Sequence, residues 1–302
     1  MKKIICIGEC SLDILFRGEQ PSGAMAGGRL VRAAAMMAGE GLPVVMASEA
    51  SADPVGDIVV KVLTDAGVDC TSVDRFTEGR TPLSVITSGQ GPVASATRYE
   101  QNGDGGFDIV WPRVDEGSVV LYGGYYAVDA RVRERLVPFL NHCAERKAVM
   151  VYAPGFRNVG RRRLTHLMPA ILENLELAHA VVATDTDLSL IFGLDDSDRC
   201  YSDHIDFYCR SLIACDTRRH RLCYYSGKQL TTDDVSPEVA ETMTWNCGLA
   251  AGVAAAIFTA GLTADDLDAP AEETRLEVLR AAAAGMENSA QALGCPWRET
   301  LL

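Results

Sequence analysis

From Ser118 onward, short apolar runs alternate with longer amphipathic ones, and this alternation limits the fold more than any other feature of the chain. Val119–Tyr122, Ala148–Tyr152 and Ala180–Ala183 read as strands, and Ser211–Cys215 as a further one. Arg131–Arg146 and Arg162–Leu175 read as the helices between them. Strands joined through helices with short connections lie parallel, in a sheet covered on both faces. In such sheets ligands gather outside the carboxyl ends of the strands, so the residues that follow each strand are the candidates for a site.

The N-terminal part feeds the same sheet. Lys3–Ile7 reads as a buried strand, and Gly8-Glu9-Cys10-Ser11-Leu12-Asp13-Ile14 continues into a second extended piece. Residues 17–28 are rich in Gly, Pro, Ser and Ala. A helix then runs from about Arg29 to Glu40, with Leu30, Ala33, Ala34 and Met37 on one face. Gly39 and Gly41-Leu42-Pro43 end it, Val44–Ala47 is the next strand, and Asp53-Pro54 leads into a helix reaching Ala66. Leu83–Thr87 and Ala94–Tyr99 read as paired strands around a Gly89-Gln90-Gly91-Pro92 turn. The acidic stretch 195–209 reads as a solvated loop, lacking the Gly and terminal Glu of a calcium-binding loop. A last helix spans about Ala271–Leu293 with Leu276, Leu279, Ala283, Met286 and Ala290 inward, ending at Gly294-Cys295-Pro296.

Composition excludes several classes of function. A net charge of −13 repels nucleic acid and anionic membrane surfaces, so neither is expected as a partner. No window approaches the ~18 uninterrupted apolar residues that a membrane span needs. The apolar run after Lys2-Lys3 stops at Gly8, too short for a signal peptide, and a cytoplasmic protein is expected. Ten cysteines without a C-x-x-C pair fit reduced thiols better than a disulfide framework or structural zinc.

The chemistry is expected around Glu241-Thr242-Met243-Thr244-Trp245-Asn246-Cys247-Gly248-Leu249-Ala250-Ala251-Gly252, where a loop opens a small-residue helix expected over Gly248–Thr259. Free backbone N–H groups and the positive end of the helix dipole make such a start an anion site. The spacing resembles the signature of the PfkB/ribokinase family of sugar kinases, Asp-Thr-x-Gly-Ala-Gly-Asp, followed by a helix closing in Ala-Gly. Glu241 and Thr242 hold the first two places and Ala251-Gly252 the closing pair, but Thr244-Trp245-Asn246 replaces Gly-Ala-Gly and Cys247 stands at the catalytic Asp.

The resemblance runs through the chain in order, from Gly8-Glu9 to Gly294. It implies an α/β fold: a ribokinase-like three-layer α/β/α sandwich with a mostly parallel central sheet and a small β-sheet lid. Residues 1–302 are then one domain, the lid built from about 12–25 and 81–99. It also implies a sugar side of Asp13, Gly27, Gly28 and Arg98, with Arg32 at the place of a sugar-binding Asn. That guanidinium either binds an acidic or phosphorylated ligand or fills an abandoned pocket with a salt bridge to Asp13.

On the nucleotide side, Arg157 alone survives from an Asp-x-Asn-x-Arg run. Thr184 and Asp187 stand where Asn-x-x-Glu would support magnesium, although Thr184-Asp185-Thr186-Asp187 is also a helix start in its own right. Thr242, Thr244, Asn246 and Gly248 fall at the phosphate cradle, and Asp216-Thr217-Arg218-Arg219-His220-Arg221 replaces a glycine-rich adenine turn. Trp245 and Asn246 are expected to put side chains into the phosphate's space. Two readings follow: a catalytically impaired kinase homologue that retains a sugar or sugar-acid pocket, or an active ATP-dependent sugar kinase of fructokinase or sugar-acid type. ATP and Mg²⁺ are implied only by the second, and no separate metal site is read. Cys247 is a degenerate base position, made reactive by the helix dipole or inert by burial. A small sugar or sugar acid is the expected ligand, and a homodimer through the lids the expected assembly.

Overall fold

Parallel strands buried on both faces need apolar side chains pointing alternately to two helical layers, and the chain is built that way. The computed structural model describes residues 1–88, 95–102, 108–156, 161–194, 196–241 and 244–293. In chain order the elements are β1 (Ile4–Ile7), β2 (Ser11–Arg17), β3 (Gln20–Gly27), α1 (Arg29–Gly39), β4 (Val44–Glu49), α2 (Pro54–Asp65), β5 (Asp69–Asp74), β6 (Gly79–Ser88), β7 (Ser95–Asn102) and β8 (Val119–Gly123). There follow α3 (Ala130–Glu145), β9 (Val149–Ala153), α4 (Arg161–Leu177), β10 (Ala180–Thr184), α5 (Asp185–Phe192), α6 (Ser197–Cys200), β11 (Ser211–Asp216), β12 (Arg221–Ser226), β13 (Gln229–Asp234), α7 (Trp245–Ala260), α8 (Ala264–Asp268) and α9 (Glu272–Ala292).

The central sheet has nine strands in the order β13-β12-β11-β10-β9-β8-β1-β4-β5. β11 through β5 in that order run parallel, and only the β11–β12 and β12–β13 pairings are antiparallel. Ile4, Cys6, Val44, Met46, Val119, Leu121, Val149 and Val151 face one layer with α1, α7 and α9. Ile5, Ile7, Val120, Tyr122, Met150 and Tyr152 face the other, with α3 and the end of α4. The period of two along each strand thus divides the core into two. Chain order reverses across β1, whose neighbours are β4 and β8, so the carboxyl ends of β1 and β8 border the crevice where doubly wound sheets bind ligands.

A separate four-stranded sheet has the order β3-β2-β6-β7. β2 and β6 pair in parallel, the outer pairs are antiparallel, and the β6–β7 register shifts between Arg80 and Leu83. Pro82 sits inside that irregularity, where its missing N–H costs no ladder bond.

α7 is apolar around its whole circumference and is buried through its first ten residues, as a helix packed on every side must be. Its contact with α9 is backbone to backbone: a Cβ on Gly248 would overlap the Gly285 carbonyl and lie 2.8 Å from Met286 Cα.

Three expectations need correction. The stretch 195–209 is not a solvated loop. α6 and a following π-helical turn, Tyr201–Ile205, bury Cys200, Tyr201, Ile205 and Cys209 against the sheet, because these apolar residues recur at helical spacing among the acidic ones. α9 buries Arg275, Val278, Leu279, Ala282, Gly285, Met286 and Ser289, a stripe rotated from the expected one, with Leu276, Ala283 and Ala290 only half-buried. The rotation is set by close approach at Gly285 and by Arg275, which donates to Thr231 Oγ1 at 2.7 Å and to the Pro270 carbonyl at 2.7 Å. α7 begins at Trp245, three residues before the expected Gly248, which makes Trp245, Asn246 and Cys247 its first turn. The Gly89–Pro92 turn and the Gly294–Pro296 terminus lie outside the described residues.

Candidate functional site

The sheet delivers three chain segments to one place: the end of β9, the β10–α5 junction, and the start of α7. α1 begins beside all three. Its N-cap, Gly28, has φ 100°, and a Cβ there would overlap the Glu9 carbonyl, so the Gly27-Gly28 pair is demanded by close approach and a left-handed backbone. A Cβ on Gly27 would collide with the side chains of Ser11 and Asp13.

From this turn come two guanidiniums. Arg32 pairs with Asp13 and donates Nε to the Ala26 carbonyl at 2.9 Å. Both side chains of the pair are buried, at 8% and 9% exposure. Asp13 also accepts from Ser11 Oγ at 3.4 Å. The salt bridge between Arg32 and Asp13, one of the two roles expected for Arg32, is present. Arg98 lies on β7 opposite Ser84 of β6.

Arg29, one helical turn before Arg32, was not singled out in the sequence. Nη1 pairs with Asp187 Oδ2 at 3.1 Å and donates to the Pro154 carbonyl, while Nε donates to the Asn246 carbonyl at 3.2 Å. One side chain therefore ties together the end of β9, the start of α5 and the first turn of α7. A signal for it exists: α1 has no acidic residue in its first turn but has two arginines there. Cations at a helix N-terminus oppose the dipole, so they imply nearby anions. Asp187 and Asp13 are those anions.

Thr184 and Asp187 form a capping box at the start of α5: Thr184 Oγ1 accepts from the Asp187 N–H at 3.0 Å, and Asp187 Oδ2 accepts from the Thr184 N–H at 3.1 Å. Beside it, Asp185 accepts from the N–H and hydroxyl of Thr217 at 3.2 and 2.6 Å, tying the β11–β12 turn to α5. Burial, with Asp185 and Asp216 nearby, pushes the Cys215 thiol up. The basic cluster of that turn is engaged by acids: Arg219 lies 3.3 Å from Asp216, and Arg221 lies 3.7 Å from Asp216 and 3.9 Å from Asp198. Two sequence features that looked independent, an acidic stretch and a basic cluster, are each other's partners.

At the start of α7, Thr244 is buried and donates Oγ1 to Ser289 Oγ at 3.1 Å instead of capping the helix. Cys247 and Gly248 donate their N–H groups to the Thr244 carbonyl. The N–H groups of Trp245 and Asn246 are then the free donors of this helix start among the described residues. Trp245 is 5% exposed and part of the apolar core, so it packs beneath the site rather than projecting into it. Asn246 Oδ1 accepts from Cys247 Sγ at 3.4 Å. Cys247 is 1% exposed, the buried alternative of the two considered for it. Gly248 serves the α9 contact in addition to any role at the phosphate cradle. Arg157 and Thr242 lie outside the described residues.

Whether a divalent metal suits this site is decided by Asp187. Its Oδ2 already accepts from the Arg29 guanidinium and from a backbone N–H, and its side chain is 4% exposed. Among the described residues no three His, Cys, Asp or Glu side chains are grouped to hold a metal. The described residues do not fit a magnesium site of the usual carboxylate kind.

Comparison with known proteins places these features. A family model described as pfkB family carbohydrate kinase matches residues 1–204. Among solved structures, fructokinase from Vibrio cholerae O395 in a fructose-, ADP- and calcium-bound form superposes with a TM-score of 0.78 at 15% identity, covering 97% of this chain and 93% of that one. Aminoimidazole riboside kinase from Salmonella enterica gives 0.78 at 14% identity, covering 99% and 98%. Fructokinase from Xylella fastidiosa with bound ATP gives 0.72 at 16%, covering 98% and 96%. At these identities the likeness is one of fold: a mostly parallel central sheet between helical layers, with a small separate sheet. No curated relative matches the chain at the sequence level, and no helix among the described residues is long and apolar enough to cross a membrane.

Proposed function

The chain belongs to the pfkB family of carbohydrate kinases, and from that premise we propose that it is a member with impaired phosphoryl transfer which keeps a recognition site for a small sugar acid or sugar phosphate. One observation carries this reading. A single turn of α1 supplies a guanidinium to each of the two carboxylates at the site, Arg32 to Asp13 and Arg29 to Asp187. A carboxylate held in a buried ion pair is poorly disposed to receive sugar hydroxyls or to support a metal. The residue matching the catalytic Asp is a buried thiol, Cys247. Loss of a general base alone costs roughly 10²–10⁴ in rate.

The test is ADP formation from Mg-ATP across a panel of hexoses, sugar acids and ribosides. No sugar-dependent turnover is expected, and Cys247→Asp is expected to restore none, because Asp187 stays paired with Arg29. Turnover by the unmodified protein above the ATP-only background would reject the impaired reading. It would establish the other one, an active ATP-dependent sugar kinase of fructokinase or sugar-acid type. The N–H groups of Trp245 and Asn246, without a partner among the described residues, favour that alternative, since such donors suit a transferring phosphate.

In the same proposal the four-stranded sheet acts as a lid over the sugar side, and the protein works in the cytoplasm. The sheet presents β3 and β7 as edges, and Leu83 and Val85 of β6 are only half-buried. Open edges and part-exposed apolar faces favour pairing with a second sheet. A homodimer is therefore expected at tens of micromolar in sedimentation equilibrium, and a single monomeric species there would end that expectation.

A further inference from the structure

Along the outer side of α3 runs a groove of about 670 Å³, within the ~300–1,000 Å³ usual for small-molecule sites. One wall is the segment 111–114 that leads toward β8, and the other is the stretch from Glu134 to Arg146 in and just after α3. α3 returns the chain from the carboxyl end of β8 to the amino end of β9. The groove and the candidate functional site therefore lie toward opposite ends of the sheet. Its apolar part is built on Trp111 stacked against Phe139, with ring centroids 4.2 Å apart and planes 8° from parallel. Phe139 is buried and Trp111 half-buried. Pro112 and Pro138 also line the groove. Pro138 stands inside α3, where it offers no N–H to the Glu134 carbonyl. A proline there weakens the helix, and its exposed ring adds nothing to the core.

The charge of the groove runs against that of the chain. The protein carries a net charge of −13, yet the groove is lined by Arg113, Arg135 and Arg146 with Glu134 as its one carboxylate. Two of the guanidiniums meet on one short segment. Arg146 donates Nε to the Val114 carbonyl at 3.3 Å, and the neighbouring Arg113 donates Nε to Asp115 at 3.1 Å. The Nη groups of both make no hydrogen bond among the described residues. The dipole at the end of α3 accounts for a cation at Arg146, but Arg135 is near the start of that helix and Arg113 is outside it. Arg135 pairs with Asp108 at 2.6 Å, and this pair is open to solvent, so an entering anion gives up little in competing with it. We propose that this groove binds a small organic anion that carries a flat ring, a carboxylate or phosphate on the guanidiniums and the ring against the Trp111 and proline wall. Guanidiniums suit both anions, and apolar walls with a few convergent polar groups are the usual make-up of such sites. A nucleoside monophosphate and an aryl carboxylate share this chemistry.

The experiment is calorimetric titration of the full chain, in EDTA, with AMP and 2-naphthoate as ring-bearing anions. Adenosine and 2-naphthamide supply the rings without the charge, and acetate and inorganic phosphate the charge without a ring. Saturable binding of AMP or 2-naphthoate is expected, with all four controls roughly 10-fold weaker or more. Tighter binding of AMP assigns a nucleotide and tighter binding of 2-naphthoate an aryl acid, and either supports the site. Arg146→Gln should weaken the anion roughly 10–100-fold, as loss of a charged hydrogen-bond donor does. Trp111→Leu should weaken it as well. If that variant fails to fold because it loses the Phe139 stack, Arg146→Gln still decides, since Arg146 is exposed. Hydrogen exchange on the complex should show protection at 110–114 and along α3. No binding of either ring-bearing anion, a control that binds as tightly, unchanged affinity in Arg146→Gln, or protection at the start of α7 instead would each overturn the proposal. The groove stands apart from the candidate functional site, so neither outcome of the ADP-formation assay decides this one.

Discussion

Arg32→Met is expected to lower the unfolding free energy by ~3–5 kcal/mol, because it leaves Asp13 charged, buried and unpaired. Asp13 and Arg32 expose 9% and 8% of their side chains, so solvent does little to screen the loss. The double variant Asp13→Asn, Arg32→Met should recover most of that cost, since a buried pair is often replaced by neutral groups at little net penalty. Urea denaturation of the three proteins measures this, and a single-variant cost below ~1 kcal/mol would mean the pair is not desolvated as described. Ligand binding provides a second readout. If Arg32 also grips an acidic sugar, Arg32→Asn should weaken a sugar acid and leave neutral hexoses unimproved. Equal or tighter binding of the acid by that variant would confine Arg32 to the salt bridge.

Gly248→Ala is the other substitution with a large expected effect. Its new methyl group would meet the Gly285 carbonyl and the Met286 Cα at 2.8 Å, and neither can rotate away as a side chain would. Separating α7 from α9 to make room would loosen a core that includes Leu249, Val253, Leu279 and Met286. Overpacking of this kind costs ~1–3 kcal/mol and sometimes more. Gly39→Ala supplies a control of opposite sign: nothing lies within 4 Å of a Cβ there, and alanine in place of glycine in a helix gains ~0.5–1 kcal/mol. Thermal unfolding should rank Gly39→Ala above the unmodified protein and Gly248→Ala well below it. Equal melting temperatures for the two variants would show that the α7–α9 contact is looser than the glycines imply.

Much of the architecture was legible in the sequence because it depends on neighbours in the chain. Apolar runs of strand length divided by helical stretches lead to a parallel sheet, and the pattern from Val119 to Cys215 is of that kind. The Thr184–Asp187 helix start was readable for the same reason, since its partners are three residues apart. The pairing of Arg32 with Asp13, 19 positions away, was one of two roles the family resemblance left open for that guanidinium. Two features misled. Acidic residues around 195–209 masked a buried helical stripe, because charge is more conspicuous than the spacing of Cys200, Tyr201, Ile205 and Cys209. On α9 the inward face was assigned by hydrophobicity, yet a glycine, a serine and an arginine lie buried there, because close helix approach and a hydrogen-bonded guanidinium outweigh apolarity.

What the sequence determined by itself was the order of strands and helices, the glycine pair before α1 and the absence of a carboxylate at position 247. What only the tertiary structure decided was the electrostatics of the site. Arg29 meets Asp187 across 158 positions and Asn246 across 217. No spacing rule reaches so far, since both contacts exist only because parallel strands bring their carboxyl ends, and the helices that follow them, to one edge of the sheet. Charges in the first turn of a helix announce that a partner is required. Which carboxylate that partner is depends on how the whole sheet is wound.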